Sequence, residues 1–271
     1  MLEVERQRLI LRLVERQSVI SVARLVETLG ASEATVRRDI NALAEQGQLR
    51  RIRGGAESLT PRHEAHLVGM PFELSRGIGA REKSAIARAA VDLVKEGEGI
   101  IINGGTTTYA MVEYLVGREL DILTNSLPIV TTLLASSRNR MTLTGGTIYR
   151  EQNIVLSPYG SDVIEHFYAQ KLFTGCFGIN HLGVMEADPL IAQAELKLLD
   201  RADEIIVLAD SRKLRQRSSM VVIGLERVAM LVTDSGATEE ELQPFRSAGL
   251  RVITVDVPAE DSNAEITGES A

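Results

Sequence analysis

Tryptophan is absent from the 271 residues, and aromatic residues amount to only 4%. That scarcity argues against a lectin surface that stacks sugars or a sheet that stacks bases. A single cysteine, Cys176, excludes a disulfide framework and any cysteine-rich zinc site. Set in an apolar run, it reads as a small buried residue. No stretch approaches the ~18 apolar residues a membrane span requires, and the opening MLEVERQRLI is charged from the start. These absences lead us to expect a cytoplasmic protein of a reducing compartment, with no membrane partner. Hydrophobic and charged shares of 44% and 25% are ordinary for a globular protein. The length accommodates one small domain and one large one.

Lysine is also missing from the first 62 residues, where eleven Arg face eight Asp or Glu, a net of 11 − 8 = +3. The remainder holds 19 basic and 29 acidic residues, a net of −10. A basic head on an acidic body suits phosphate contact at one end, because counterion release rewards local positive charge.

The head, residues 1–57, reads as three helices and a wing. Leu9, Ile10, Leu13 and Val14 recur at helical spacing in the first helix. The second runs from about Ser21 to a stop at Gly30. The third starts at Ser32, whose hydroxyl can cap free amides, with Glu33 at the positive helix end. Val36, Ile40 and Leu43 share one face, and Gly47 fits a left-handed stop. Leu49 to Arg53 reads as a strand and Gly54-Gly55 as a turn, completing a winged helix-turn-helix.

Turning Val36, Ile40 and Leu43 inward places Ala34, Arg38 and Asn41 on the opposite face, with Thr35 and Arg37 on its flanks. Arg suits guanine O6 and N7, Asn suits adenine, and Ala or Thr can touch a thymine methyl. Ser32 and Thr35 lie at the amino end, where recognition helices meet bases or phosphates. Arg50, Arg51 and Arg53 of the wing are placed for backbone or minor-groove contact. The partner expected is double-stranded operator DNA, bound by a homodimer or homotetramer so that two heads span a symmetric site.

Residues 58–80, rich in Pro and Gly, read as a linker, partly ordered against the larger domain. His63 and His66 fall within it without thiol or clustered acidic company, so no metal site is expected. From 81 to 256 helices, such as Thr107 to Val116, alternate with apolar strands, such as Lys171 to Gly178, which implies an α/β domain with a largely parallel sheet and helices on both faces. The acidic tail, 257–271, reads as disordered. Three strands of this domain end in polar turns, two of which contain glycine. They are Asn103-Gly104-Gly105-Thr106-Thr107-Thr108, Thr124-Asn125-Ser126 and Thr144-Gly145-Gly146. Ligands in open α/β sheets lie beyond the carboxyl ends of strands. Glycines admit backbone approach, and hydroxyls with helix-terminal amides can hold an anion such as phosphate. No GxGxxG follows a strand and no GxSxG is present, which removes nicotinamide and serine-hydrolase readings; no cofactor is expected.

The head resembles the DeoR family of bacterial transcription regulators through Ser32, Thr35, Val36, Arg37, Arg38, Asp39, Leu43, Gly47, Leu49, Gly54, Gly55 and Ala56. Further matches are Arg81-Glu82-Lys83 with Ile86-Ala87, Gly104-Gly105-Thr106-Thr107, Thr124-Asn125-Ser126, Gly145-Gly146, and Leu208-Ala209-Asp210-Ser211 with Lys213. The likeness extends to about Val255. It implies a sugar-phosphate-sensing domain resembling ribose-5-phosphate isomerase, in which Glu195, Asp210 and Lys213 join the effector site. That enzyme's acidic motif corresponds roughly to Thr174 to Gly178 here, which has no carboxylate, so a silent sensor is expected rather than an enzyme. The alternative is an isomerase-like enzyme with a nucleic-acid-binding head, using Glu195, Asp210 and Lys213 as acid–base groups. Family members commonly carry Asp where Asn103 stands; its loss makes an anionic ligand less repelled. Residues 103–106 and 156–161 are similar to the subgroup that controls L-ascorbate utilisation through a phosphorylated ascorbate. The function this implies is repression of a carbohydrate-utilisation operon, released by a phosphorylated sugar or sugar acid.

Overall fold

A computed structural model of the chain describes residues 3–17, 19–52, 54–57, 59, 70–157 and 163–258. Two compact units are present, 1–67 and 68–271. The first contains α1 (Glu3–Gln17), β1 (Val19–Ser21), α2 (Val22–Leu29), α3 (Glu33–Glu45), β2 (Arg50–Ile52) and β3 (Gly55–Glu57). Ser21 caps α2 by accepting from Arg24 N, and Gly30 closes it at φ 60, a left-handed conformation that favours glycine. Ser32 caps α3 by accepting from Thr35 N. The apolar stripes of the three helices meet Leu49 and Ala56 in one small core.

The strand β1 is an addition to the expected layout. It pairs antiparallel with β3, which pairs with β2, so the wing is the outer part of a three-stranded sheet. Gly55 permits the close approach: a Cβ there would lie 2.3 Å from the Ile20 carbonyl oxygen.

The second unit contains α4 (Phe72–Arg76), α5 (Ala80–Val91), β4 (Gly99–Ile102), α6 (Thr106–Tyr109), α7 (Val112–Leu115), β5 (Asp121–Thr124), α8 (Leu127–Ser136), β6 (Arg140–Leu143), β7 (Thr147–Tyr149) and β8 (Ile154–Leu156). These are followed by β9 (Ala169–Thr174), β10 (Gly178–Asn180), β11 (Gly183–Glu186), α9 (Pro189–Leu199), β12 (Ala202–Leu208), β13 (Met220–Ile223), β14 (Met230–Asp234), α10 (Glu239–Ser247) and β15 (Arg251–Val255). Seven strands form one sheet in the order β15-β14-β12-β9-β4-β5-β6, and every pairing in it is parallel.

Alternation along the strands builds two cores, because successive side chains point to opposite faces. Ile100, Ile102, Ile122, Phe173 and Ile206 pack with α5, α7 and α8. Ile101, Leu123, Leu172, Ile205 and Val207 pack with α9 and α10. The chain winds outward from β4 to β5 and β6, then returns to the other side of β4 with β9 and continues through β12, β14 and β15. The β4/β9 boundary is therefore the topological switch point, where a crevice opens at the carboxyl ends.

The stretch 58–80, read as a linker partly ordered against the larger domain, ends in α4, which buries Phe72, whose ring meets Tyr109 edge-on at 5.6 Å between centroids. A five-residue helix between Pro71 and Gly77 is too short to show a period. Two other expectations are corrected. The strand expected to run from Lys171 to Gly178 stops at Thr174, and Gly178 begins β10 of a small antiparallel sheet, β10-β11-β13. The single helix expected from Thr107 to Val116 is two, α6 and α7, joined where Met111 N bonds to Thr108 O in a tightened turn. The readings of His63, His66 and Arg53, and of the tail from 259 onward, lie outside the described residues.

Candidate functional site

On α3 the buried side chains are Val36, Ile40 and Leu43, as the spacing required, together with Asp39. Ala34, Arg37, Arg38 and Asn41 are exposed and Thr35 is half-buried. Asp39 is 2% exposed and receives Arg6 of α1 through Nε at 2.5 Å and Nη2 at 3.2 Å. This two-pronged ion pair locks α3 against α1 and fixes which face the helix presents.

The exposed cations differ in their commitments. Arg37 pairs with Glu33 one turn earlier at 2.6 Å. Arg50 pairs across the wing with Glu57 at 2.7 Å. Arg51 donates to Asn41 Oδ1 at 3.0 Å, tying the wing to the helix. Asn41 therefore meets an adenine with one of the two acceptor sites of its oxygen already taken by Arg51. Ser32 Oγ is shared between Thr35 N and Thr35 Oγ1, which ties both side chains to the helix start and leaves one of the two hydroxyl protons to donate elsewhere. Arg38 has no such partner among the described residues, which leaves its guanidinium available for a base edge.

In the second unit the expected turns do meet at the carboxyl edge of the sheet. Asn103, at the end of β4, donates from Nδ2 to Thr174 Oγ1 at 3.0 Å and to Glu195 Oε1 at 2.9 Å. Its Oδ1 accepts from Gly104 N at 2.9 Å, and Asn125 Oδ1 accepts from the same amide at 2.7 Å. One hydrogen-bonded chain thus joins the ends of β4, β5 and β9 to α9. Gly104 cannot be otherwise, since a Cβ would lie 2.3 Å from Ile154 Cγ2.

Other members of the turns hold the fold. Thr124 Oγ1 accepts from Ser126 N, and Ser126 Oγ caps α8 through Ile129 N. Thr108 Oγ1 donates to Gly105 O, and Thr107 is buried. Gly146 approaches the β8 backbone so closely that a Cβ would meet Leu156 O at 2.0 Å. Gly145 is exposed. Of these turn residues, Asn103, Gly104 and Asn125 form the connected polar network.

A cationic group gathers beside the end of β12. Asp210 Oδ1 accepts from Arg212 Nε at 2.8 Å, and its buried Oδ2 has no partner among the described residues. Lys83 of α5, 3% exposed, donates to Ser75 O at 2.6 Å. Burial lowers its ammonium from 10.5 to about 8, against the pull of Asp210, and Lys213 and Arg212 lower it further by repulsion. Three cations thus gather about Asp210, with Glu82 and Asp234 also acting on Lys83 or Arg212. Next to them a cavity of about 330 Å³ is bounded by Arg76, Lys83, Ser84, Thr106, Tyr109 and Glu113, among others. Thr106 is the member of the expected set that lines it.

Two acidic side chains face the network from the other core. Glu195 is buried on α9, and burial first, then the neighbouring Glu186 charge, pushes its carboxyl well above the ordinary range, against the Asn103 hydrogen bond. Glu186 of β11 is also raised, chiefly by burial. Sequence reasoning did not single out Lys83 or Glu186 for this region. Lys83 could have been found: it shares the inward stripe of α5 with Ile86, Ala87 and Ala90, where a lysine is out of place without a task.

Comparison with known proteins agrees with this division. Residues 6–62 match the family described as DeoR-like helix-turn-helix domain, and residues 79–235 match the DeoR C terminal sensor domain. The HTH-type transcriptional regulator UlaR of Shigella dysenteriae serotype 1 is 34% identical over 256 residues, covering 94% of this chain and 100% of the relative. UlaR of Escherichia coli O1:K1 / APEC matches with the same identity and coverage. The full-length sorbitol operon regulator SorC from Klebsiella pneumoniae superposes with a TM-score of 0.41 at 13% identity, over 88% of this chain and 98% of that one. Ribose 5-phosphate isomerase A from Methanocaldococcus jannaschii superposes with a TM-score of 0.37 at 16% identity, over 48% and 52%. Both superpositions are loose. Among the described residues no helix is long and apolar enough to cross a membrane.

Proposed function

The chain belongs to the DeoR family of bacterial transcription regulators, and we propose that it represses a carbohydrate-utilisation operon until a phosphorylated sugar or sugar acid binds the second unit. Operator DNA is held by Arg38 and Asn41 in the major groove, with Arg50, Arg51 and Arg53 on phosphate or in the minor groove. Two or four copies act together, so that paired heads meet the halves of a symmetric operator.

The observation that carries the effector reading is the gathering of Lys83, Arg212 and Lys213 at the sheet edge, beside a cavity that Lys83 and Thr106 line. Such a cluster rewards a multiply charged oxyanion. Thr106 and the amides opening α6 lie on the same side and have no intrahelical acceptor by position. The neutral amide of Asn103, in place of a carboxylate, adds no repulsion. The likeness of residues 103–106 and 156–161 to the subgroup for L-ascorbate utilisation agrees with a sugar-derived anion.

The same features support a sensor over a catalyst. The segment after β9, Thr174 to Gly178, supplies no carboxylate, and Glu195 is held by Asn103 with its carboxyl raised. For release to work, the effector must bind the DNA-incompetent conformation more tightly, since equal affinity shifts nothing. A thermal-shift screen of sugar phosphates and sugar-acid phosphates tests the reading, followed by DNA release with each hit. Stabilisation by a phosphorylated ligand without turnover is the expected result. Turnover abolished by Glu195→Gln would establish the isomerase alternative instead.

A further inference from the structure

The second unit begins at Val68, and α4, from Phe72, is its first helix, so the chain leaving the first unit enters α4 directly. The cationic site grips the carboxyl end of that segment. Ser75 O accepts from Lys83 Nζ at 2.6 Å, Ser75 Oγ lies 3.4 Å from Thr106 Oγ1, and Arg212 Nη2 donates to Ile78 O at 3.2 Å. The turn between β7 and β8 holds the amino end. Phe72 N donates to Glu151 O at 2.8 Å, Gln152 Nε2 to Met70 O at 2.9 Å, and Asn153 Nδ2 to Glu73 Oε1 at 3.2 Å. A five-residue helix has too few turns to hold itself, so these partners set its position.

Arg76 is the cation that α4 brings to the cavity of about 330 Å³, whose wall it shares with Lys83 and Thr106. Its guanidinium lies 4.6 Å from the centroid of the Tyr109 ring, and it has no ion-pair partner among the described residues. One carboxylate, the exposed Glu113, lines the same cavity. An oxyanion bound there meets one cation from α5, Lys83, and one from the segment that comes directly from the DNA reader, Arg76.

We propose that α4 is the element through which the effector acts on the DNA reader, and that Arg76 is the coupling residue: it closes on the bound oxyanion in the released conformation and not in the operator-bound one, whereas Lys83 holds the anion in both. The proposal rests on the effector reading above and adds the route by which occupancy reaches the first unit. A contact made equally in both conformations gives affinity without release; only a contact that differs between them moves the equilibrium. Lys83 is suited to the constant role. It is 3% exposed and fixed by Ser75 O, and its ammonium has further protons for an anion. Arg76 is suited to the variable one. It is exposed and rests on a ring face, a weak hold for a cation at an exposed site, whereas a charge-assisted hydrogen bond to an oxyanion is strong. Taking up the anion therefore breaks no ion pair, and it loads the short helix that carries Arg76.

The test is a linkage measurement on the full-length protein at constant ionic strength. A duplex selected from a random pool is titrated with and without saturating probe, and the ratio of the two dissociation constants is the release factor. Probe binding to the free protein is measured by isothermal titration. The probes are ribose 5-phosphate, glucose 6-phosphate, 6-phosphogluconate and inorganic phosphate. In the wild type at least one probe should give a release factor of about tenfold or more. Arg76→Gln should bind the duplex normally without probe, lose several-fold in probe affinity, and show a release factor near one at saturation. Arg76→Lys, which keeps the charge, should recover part of it. Lys83→Met should need far more probe yet reach the full release factor once saturated. Gln152→Ala with Asn153→Gly unties the other end of α4; neither residue lines the cavity, and glycine keeps the positive φ of 53 at position 153. That variant should keep probe affinity and lower the release factor. The chain has no tryptophan, so Met70→Trp places a sole indole beside α4. Its emission should shift on probe binding, and stay still in the Arg76→Gln background at equal saturation. A release factor unchanged in Arg76→Gln, whatever happens to its probe affinity or melting temperature, overturns the proposal and keeps the effector reading. A release factor unchanged in the Gln152–Asn153 variant overturns the role of α4. Wild type that binds none of the probes would remove the effector reading and this proposal together.

Discussion

Arg6→Met is the substitution that most sharply tests how α3 is held. It leaves the Asp39 carboxylate, 2% exposed, without its two-pronged partner. Stranding one member of a buried pair costs ~3–5 kcal/mol. The unit concerned has roughly 60 residues, and at ~0.05–0.15 kcal/mol per residue its whole stability is ~3–9 kcal/mol. One substitution therefore removes a third or more of it, and operator binding should fall with folding rather than with charge. Asp39→Asn, which keeps an acceptor, should cost less. Replacing both residues with apolar ones of similar volume, Arg6→Met with Asp39→Leu, should recover most of the loss, because no buried charge remains. Arg6 makes further contacts, so urea unfolding of the full cycle is needed to isolate the pair. A coupling above ~2 kcal/mol is expected. A coupling below ~0.5 kcal/mol would refute the reasoning and reduce the pair to a surface contact.

Other outcomes follow from the same geometry. Arg38→Ala should weaken discrimination between operator and random duplex by ~1–3 kcal/mol with little change in the salt slope, whereas Arg51→Ala should flatten the slope and also free Asn41; uniform loss in Arg38→Ala, read by anisotropy, would mean that α3 faces the DNA differently. Lys83 has a folded value of about 8 against 10.5 when unfolded, so the unfolded chain holds a proton the folded chain lacks between those values, and this group makes stability rise with pH across that window. Its charge is present below about pH 8, so binding of inorganic phosphate should weaken as pH rises through 8, and Lys83→Met should remove that step; an unchanged pH profile in the variant would exclude Lys83 from the site. Glu195 has the opposite sign: its folded carboxyl is raised, so the folded state keeps a proton that the unfolded state loses, and stability falls as pH rises above the ordinary carboxylate range. Melting temperature against pH should therefore be flatter in Glu195→Gln, and an identical slope would show that Glu195 is not the group responsible.

Much of the first unit was legible in the chain itself. The Val36, Ile40, Leu43 spacing, the Ser32 cap and the glycine at position 30 are local signals, and the helices follow them. Asp39 sits on the same inward face, but its partner is 33 residues away, so its burial could be suspected from spacing and its pairing could not. The parallel sheet was legible because strands such as Gly99 to Ile102 are apolar on both faces. Three-residue strands such as β7, β8 and β10 carry too few residues to show alternation and exist through their pairings. The polar turns were found as motifs, but their roles divided only in three dimensions. Thr124, Ser126 and Thr108 hold the backbone, while Asn103 and Asn125 join one network. Lys83 and Lys197 reach the sheet edge from helices distant in sequence, and only the winding of β4, β5 and β9 brings them there.

The linkage between the two units is best tested by fluorescence anisotropy on a labelled duplex selected from a random pool with the full-length protein. Titration with the phosphorylated ligand that most stabilises the protein should release the duplex, and Lys83→Met should bind the duplex normally yet need far more ligand for release. A duplex that stays bound at saturating ligand, or a variant released as readily as the wild type, would contradict the assignment of the effector to the sheet edge.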